Sequence, residues 1–142
     1  MSALEAVFPF TARPGTPDDV GYVLDTFEEA LWPEYRGTTR RGDFSRAIRA
    51  AVLDSISDGA SLLIASPEAG PAVIWGWTLT AGNIVVFAYV QLQRRQARIC
   101  TRLLQAAGID TTEEIKVRHL TKSTVDIRRA GKMRLRRVPV LG

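Results

Sequence analysis

Hydrophobic positions along the chain change their period several times, and each change marks an element. Phe8–Arg13 (FPFTAR) alternates bulky and small side chains, the two-residue rhythm of a first strand. From Val20 the rhythm lengthens: Val20, Val23, Leu24, Phe27 and Leu31 share one face of a helix. Thr16 is a capping residue, Pro17 fits the first helical position, and Asp19 stands three residues after the cap. Asp18 and Asp19 also put negative charge at the positive end of that helix. Pro33 is expected to close it, and the polar stretch 34–42 reads as a turn. Phe44, Ile48, Val52 and Ile56 then recur every fourth residue, a second helix ending near Gly59.

Three strand-like runs follow: Ser61–Ala65, Ala72–Thr80 and Ile84–Leu92. The turns between them, PEAGP and Ala81-Gly82-Asn83, are short, so the runs form an antiparallel meander. Trp75 and Trp77, two residues apart, are expected on one face of their strand. The third run is apolar at nearly every position, which predicts a central strand covered on both sides. Beyond the loop QRRQAR a helix is expected from about Ala97 to Ala107, with Ile99, Leu103 and Leu104 inward and Gly108 as its stop. Ile115–Leu120 reads as a short strand, Ser123–Arg129 as a helical turn, and Met133–Leu141 as an edge strand. The class is therefore α/β (α+β): one domain over residues 1–142, a mostly antiparallel mixed sheet flanked by helices. Residues 122–142 make a basic extension or edge strand.

Composition narrows the class more than the function. A hydrophobic content of 46% with 24% charged residues belongs to a globular chain rather than a disordered one. The longest apolar run, Ile84–Val90, is strand-sized, so no membrane association is expected. The opening MSALEAVFPF lacks the basic and long apolar parts of a signal peptide, which points to a cytosolic protein. A single cysteine, Cys100, argues against a disulfide framework, and no motif of ligating residues suggests a metal. The net charge of +4 conceals an asymmetry: residues 1–70 hold 6 basic and 11 acidic groups, residues 71–142 hold 13 and 4.

Candidate chemistry gathers after the third run. A strand that feeds a short loop and a helix N-terminus is an anion site, and Arg94, Arg95 and Arg98 add charge there; a solvated loop is the alternative. His119, the one histidine, ends the fifth strand as a candidate base or as a structural side chain. Glu28, Glu29 and Glu34 form either an acidic rim for an amine or a solvated helix face.

The order of elements, with ARPGTPDDVGYVLDTF near the start and YVQLQRRQARICTRLL in the middle, resembles the GCN5-related N-acetyltransferase (GNAT) superfamily. Within it the chain is most similar to small bacteriophage-encoded members, over about Phe10 to Leu120. The family's acyl-CoA loop, Arg/Gln-x-x-Gly-x-Gly/Ala, falls without gaps on Arg95, Gln96, Ala97, Arg98, Ile99 and Cys100, ahead of Leu103 and Leu104. With Val90 and Leu92 of the preceding strand, these are the cofactor-binding positions the resemblance implies, and acetyl-CoA is the cofactor if the site works. Two positions depart from the pattern: Arg98 stands for the central glycine and Cys100 for the last Gly/Ala. Glycine there lets a pyrophosphate approach bare backbone, which a long side chain crowds. The late tyrosine that often protonates the thiolate in this family has no counterpart beyond Tyr89.

Three functions are compatible with this reading. One is a non-catalytic structural or assembly component of a bacteriophage or phage-like particle, in the host cytoplasm or incorporated in a virion. Its partners would be particle proteins or further copies of itself, joined through faces of opposite charge. The second is an active N-acetyltransferase, with His119 as the weak catalytic candidate. The third is a binder of nucleic acid or anionic surfaces through Arg128, Arg129, Lys132, Arg134, Arg136 and Arg137.

Overall fold

Among the described residues six strands form one sheet in the order of the sequence, from β1 at one edge to β6 at the other. The computed structural model describes residues 10–70, 72–91, 94, 98–119 and 133–138. The strands are β1 (Phe10–Pro14), β2 (Ser61–Pro67), β3 (Gly76–Ala81), β4 (Ile84–Val90), β5 (Glu114–Val117) and β6 (Arg134–Arg137); the helices are α1 (Pro17–Tyr35), α2 (Arg41–Ser57) and α3 (Ile99–Ala106). Neighbours from β1 to β4 are antiparallel, while β5 runs parallel to β4 and β6 parallel to β5. One core cluster joins α1 and α2 to Ile64, Trp77, Leu79 and Phe87; the other joins α3 to Ala65, Val85, Ala88, Ile115 and Val117. The fold is thus the mixed α/β architecture, sheet between helices, that the chain's patterning predicts. As expected of a strand apolar at nearly every position, β4 sits inside the sheet with both faces covered.

Four sequence expectations are corrected. Pro33 does not close α1, which runs on to Tyr35. Proline forfeits one backbone donor. The last turn is nonetheless held by Trp32 and Tyr35, whose rings pack 5.2 and 5.1 Å from that of Phe44. Residues 34–42 are accordingly not all turn, since α2 begins at Arg41. The fifth strand is shorter than Ile115–Leu120 and ends at Val117. Finally, β3 begins at Gly76, and Trp75 and Trp77 do not share a face.

The last correction has a clear backbone cause. Trp75 donates its N–H to the Ala65 carbonyl at 2.8 Å, yet Gly76 also stands opposite Ala65. Two residues against one is a bulge, and a one-residue slip sends a side chain to the other face. Trp75 packs with Phe10 on the α3 side, while Trp77 lies under α1 and donates its Nε1–H to Thr26 Oγ1 at 2.8 Å. Only glycine fits at position 76, because a Cβ there would stand 2.7 Å from the Tyr89 carbonyl. A second irregularity lies in β4: Leu79 faces Phe87 and Thr80 faces Val85, so Val86 has no partner in the register. Val86 and Phe87 therefore point to the same α1–α2 face, with Val85 and Ala88 on the other.

The helical turn expected at Ser123–Arg129 lies outside the described residues, as does Leu120. The expected edge strand is realised as Arg134–Arg137, with Arg134 and Arg136 exposed and Leu135 against the α3 core.

Candidate functional site

Parallel strands β4 and β5 meet only at Ile84/Lys116 and Val85/Val117, and the Arg118 N–H donates to the Val85 carbonyl at 2.9 Å. Past that point β4 continues to Val90, toward the start of α3, while β5 has ended. His119 stands at this fork. Its ring centroid lies 5.6 Å from Phe27 and 6.4 Å from Phe87, which are themselves stacked at 4.6 Å. It borders a large cavity on the α1–α2 face and a very small one on the α3 face, the latter shared with Val85, Cys100 and Met133.

Burial, reinforced by the nearby Arg137 and Arg118, holds the His119 imidazole below its usual pKa. At neutral pH the ring is therefore uncharged. Among the described residues no carboxylate hydrogen-bonds it, and none of them orients it as a general base.

The loop before α3 supplies the other candidate positions. The Arg94 guanidinium stacks 3.8 Å over Trp75, and that of Arg102 4.1 Å over Phe10. Arg98 is exposed and caps the helix with φ 58° and ψ 24°. Among the described residues it is the one non-glycine with positive φ. The position that the resemblance assigns to glycine thus keeps glycine's backbone conformation while carrying an arginine.

Val90, Ile99 and Cys100 are buried, and Leu103 and Leu104 anchor α3 beneath them. Burial pushes the Cys100 thiol up to about 12, which makes it a packed hydrophobe rather than a nucleophile. Leu92, Arg95, Gln96 and Ala97 lie outside the described residues. The structure therefore brings Val90, Arg98, Ile99 and Cys100 to one strand–helix junction, with His119 at the fork beside it.

The acidic side chains of the first two helices are mostly occupied. Glu28 is buried and accepts from Arg41 at 2.8 Å and Arg49 at 3.2 Å; Ser45 first, then these arginines, hold its carboxyl below the ordinary range. Arg41 also meets Glu29, Arg49 meets Asp25, and Arg46 meets Asp43. The pairs of Arg41 and Arg49 are clamps between α1 and α2, while Arg46–Asp43 lies within α2, so Glu28 and Glu29 do not line an open acidic rim; Glu34 is exposed. At the other edge of the sheet, Arg136 pairs with Glu114 at 2.8 Å and Arg134 donates to the Thr112 carbonyl at 3.2 Å. Arg137 is exposed, and Arg128, Arg129 and Lys132 lie outside the described residues.

Sequence reasoning missed the aromatic seat of His119, the bulge at Val86 and the large cavity itself. The cavity measures about 390 Å³ and lies between α2 and the fork. The four-residue spacing of Phe44, Ile48 and Val52 shows an inward helix face, but nothing in it shows that α2 leans mainly on α1 and leaves space over the sheet. Among the described residues no cluster of side chains could hold a metal ion, and no helix is long and apolar enough to cross a membrane.

No family model and no curated protein matches this chain. Among solved structures, it is similar to one titled as a possible acetyltransferase from Clostridium difficile 630, with 12% identity and a TM-score of 0.49 over 94% of this chain and 95% of that one.

Proposed function

We propose that this chain is a non-catalytic protein on an acetyltransferase-like fold, a structural or assembly component of a bacteriophage or phage-like particle. Arg98 carries the reading. A pyrophosphate at this helix start needs bare backbone, and Arg98 puts a Cβ and a long side chain at that position while holding the left-handed conformation. On this reading Arg98 does not suit acetyl-CoA at the loop.

The chemistry around the loop agrees. His119 is wedged against Phe27 and Phe87, no carboxylate among the described residues hydrogen-bonds it, and Cys100 is a buried thiol. The phage context comes from the sequence resemblance alone. Its partners would be other particle proteins or further copies of the chain, met in the host cytoplasm or in a virion. The arginines that pair the acids of α1 and α2 are already counted among the 6 basic groups of residues 1–70, so that half stays net acidic and would face the basic loop and β6 edge of a neighbour.

The test is release of free thiol from acetyl-CoA in the presence of amines, from polyamines to lysine peptides, alongside sedimentation velocity across a salt series. The reading expects no thiol release above the uncatalysed rate and an association that weakens as salt rises. Turnover would instead establish the acetyltransferase reading, which the parting of β4 and β5 beside His119 favours. Retention of nucleic acid on a filter at low salt would favour the third reading; of its described cations, Arg134 and Arg136 have protein partners and Arg137 is exposed.

A further inference from the structure

We propose that the cavity between α2 and the fork of β4 and β5 binds a small apolar carboxylate, an alkyl or aryl body with one anionic end. Its volume of about 390 Å³ falls in the range of small-molecule sites, which are mostly apolar with a few placed polar groups. Phe27, Phe44, Val52 and Val86 line it at depth and are all buried. The bulge at Val86 adds to this wall, because it turns two successive β4 side chains to the same face. On the α2 side the exposed Ala47 and Ala51 leave the opening free of bulk.

Charge selects the head group. Arg118 and His119 stand half-buried on the cavity wall, and Arg137 of β6 adds its field to that of Arg118 at the imidazole. From α2 the facing acid is Asp43, which Arg46 already engages; Tyr35 of α1, Thr39 and Ser55 contribute hydroxyls. An ammonium would be repelled by the Arg118 guanidinium, whereas a carboxylate can pair with it. This binding is separate from acetyl-CoA use and from the assembly role, and it stands or falls independently of both.

The experiment titrates octanoate into the full chain and follows the ring protons of His119, the chain's one histidine. Saturable binding is expected, with the His119 titration moving to higher pH as the carboxylate settles beside the ring. Octanol and octylamine, with the same body and no anion, bind about tenfold more weakly or worse. Arg118→Gln weakens octanoate by about tenfold and leaves octanol unchanged. Ala51→Phe, at an exposed helix position, blocks the opening and removes octanoate binding while the circular dichroism of the chain is retained. The proposal is overturned if octanoate does not saturate at millimolar concentration, if octylamine binds as tightly, or if octanoate binds with His119 or the Arg118 variant unaffected.

Discussion

Two helix starts in this molecule are built in opposite ways. At α1, Thr16 is extended (φ −115°, ψ 166°), Pro17 occupies the first turn, and the Asp19 carboxylate accepts the Thr16 N–H at 2.7 Å and its hydroxyl at 3.0 Å. Arg13 then grips both oxygens of that carboxylate at 2.7 and 2.8 Å. At α3, Arg98 is left-handed, no side chain caps it, and the first turn holds no acid. The first start follows the rules of helix capping and consumes its charge internally. The second breaks them, and a non-glycine in this conformation costs roughly 1–2 kcal/mol. Such departures collect where function constrains or once constrained a chain. Here the departure falls on the position that the sequence resemblance assigns to a glycine of the acyl-CoA loop, which is why the α3 start, and not the better-made α1 start, carries the functional reading.

The contrast can be broken most forcefully at Asp19. Asp19→Ala removes the carboxylate that Arg13 and the Thr16 N–H share, and urea denaturation should show a loss of about 2–3 kcal/mol. A loss no larger than that of an ordinary surface change would make the two starts energetically alike. Acid probes the same clamp. The Arg13 guanidinium, helped by Thr16, pulls the Asp19 carboxyl from 3.8 down to about 2. Because the folded value is the lower one, its stabilisation is complete above about pH 4 and fades as pH falls toward 2, by about 2 kcal/mol. Asp19→Asn should remove that part of the acid dependence.

Arg98→Gly sharpens the other half of the comparison. It relieves the left-handed strain and should stabilise the chain by up to about 1 kcal/mol, read as a higher denaturation midpoint. A destabilisation would mean that the guanidinium makes contacts that outweigh the strain. The smallest effect is expected at the exposed Arg136–Glu114 pair, where Arg136→Ala should change stability by no more than about 0.5 kcal/mol.

How much of this was legible in the sequence depends on whether the cause was local. The α1 start could be read directly, since Thr16, Pro17 and Asp19 act within one turn. The Arg13–Asp19 clamp could not, because it forms only when β1 and α1 meet across the intervening turn. Periodicity placed the strands of the meander, but it assumes an unbroken pleat, and the bulges at Trp75/Gly76 and Val86 each turn a side chain to the face it does not predict. Pro33 was misjudged because helix rules weigh the lost donor and not the packing of Trp32 and Tyr35 on Phe44. At the candidate site, the departure at position 98 is visible against the loop pattern of the superfamily the sequence resembles. Its positive φ, the burial of Cys100 and the aromatic seat of His119 needed the fold.

Isothermal titration of acetyl-CoA into the unmodified chain tests the central claim most directly, with Arg98→Gly titrated beside it. A crowded loop predicts no saturable heat for the unmodified chain at millimolar acetyl-CoA, and no thermal stabilisation of the size, about 2.7 kcal/mol, that a ligand gives at a hundred times its dissociation constant. Stoichiometric, saturable binding by the unmodified chain would contradict it.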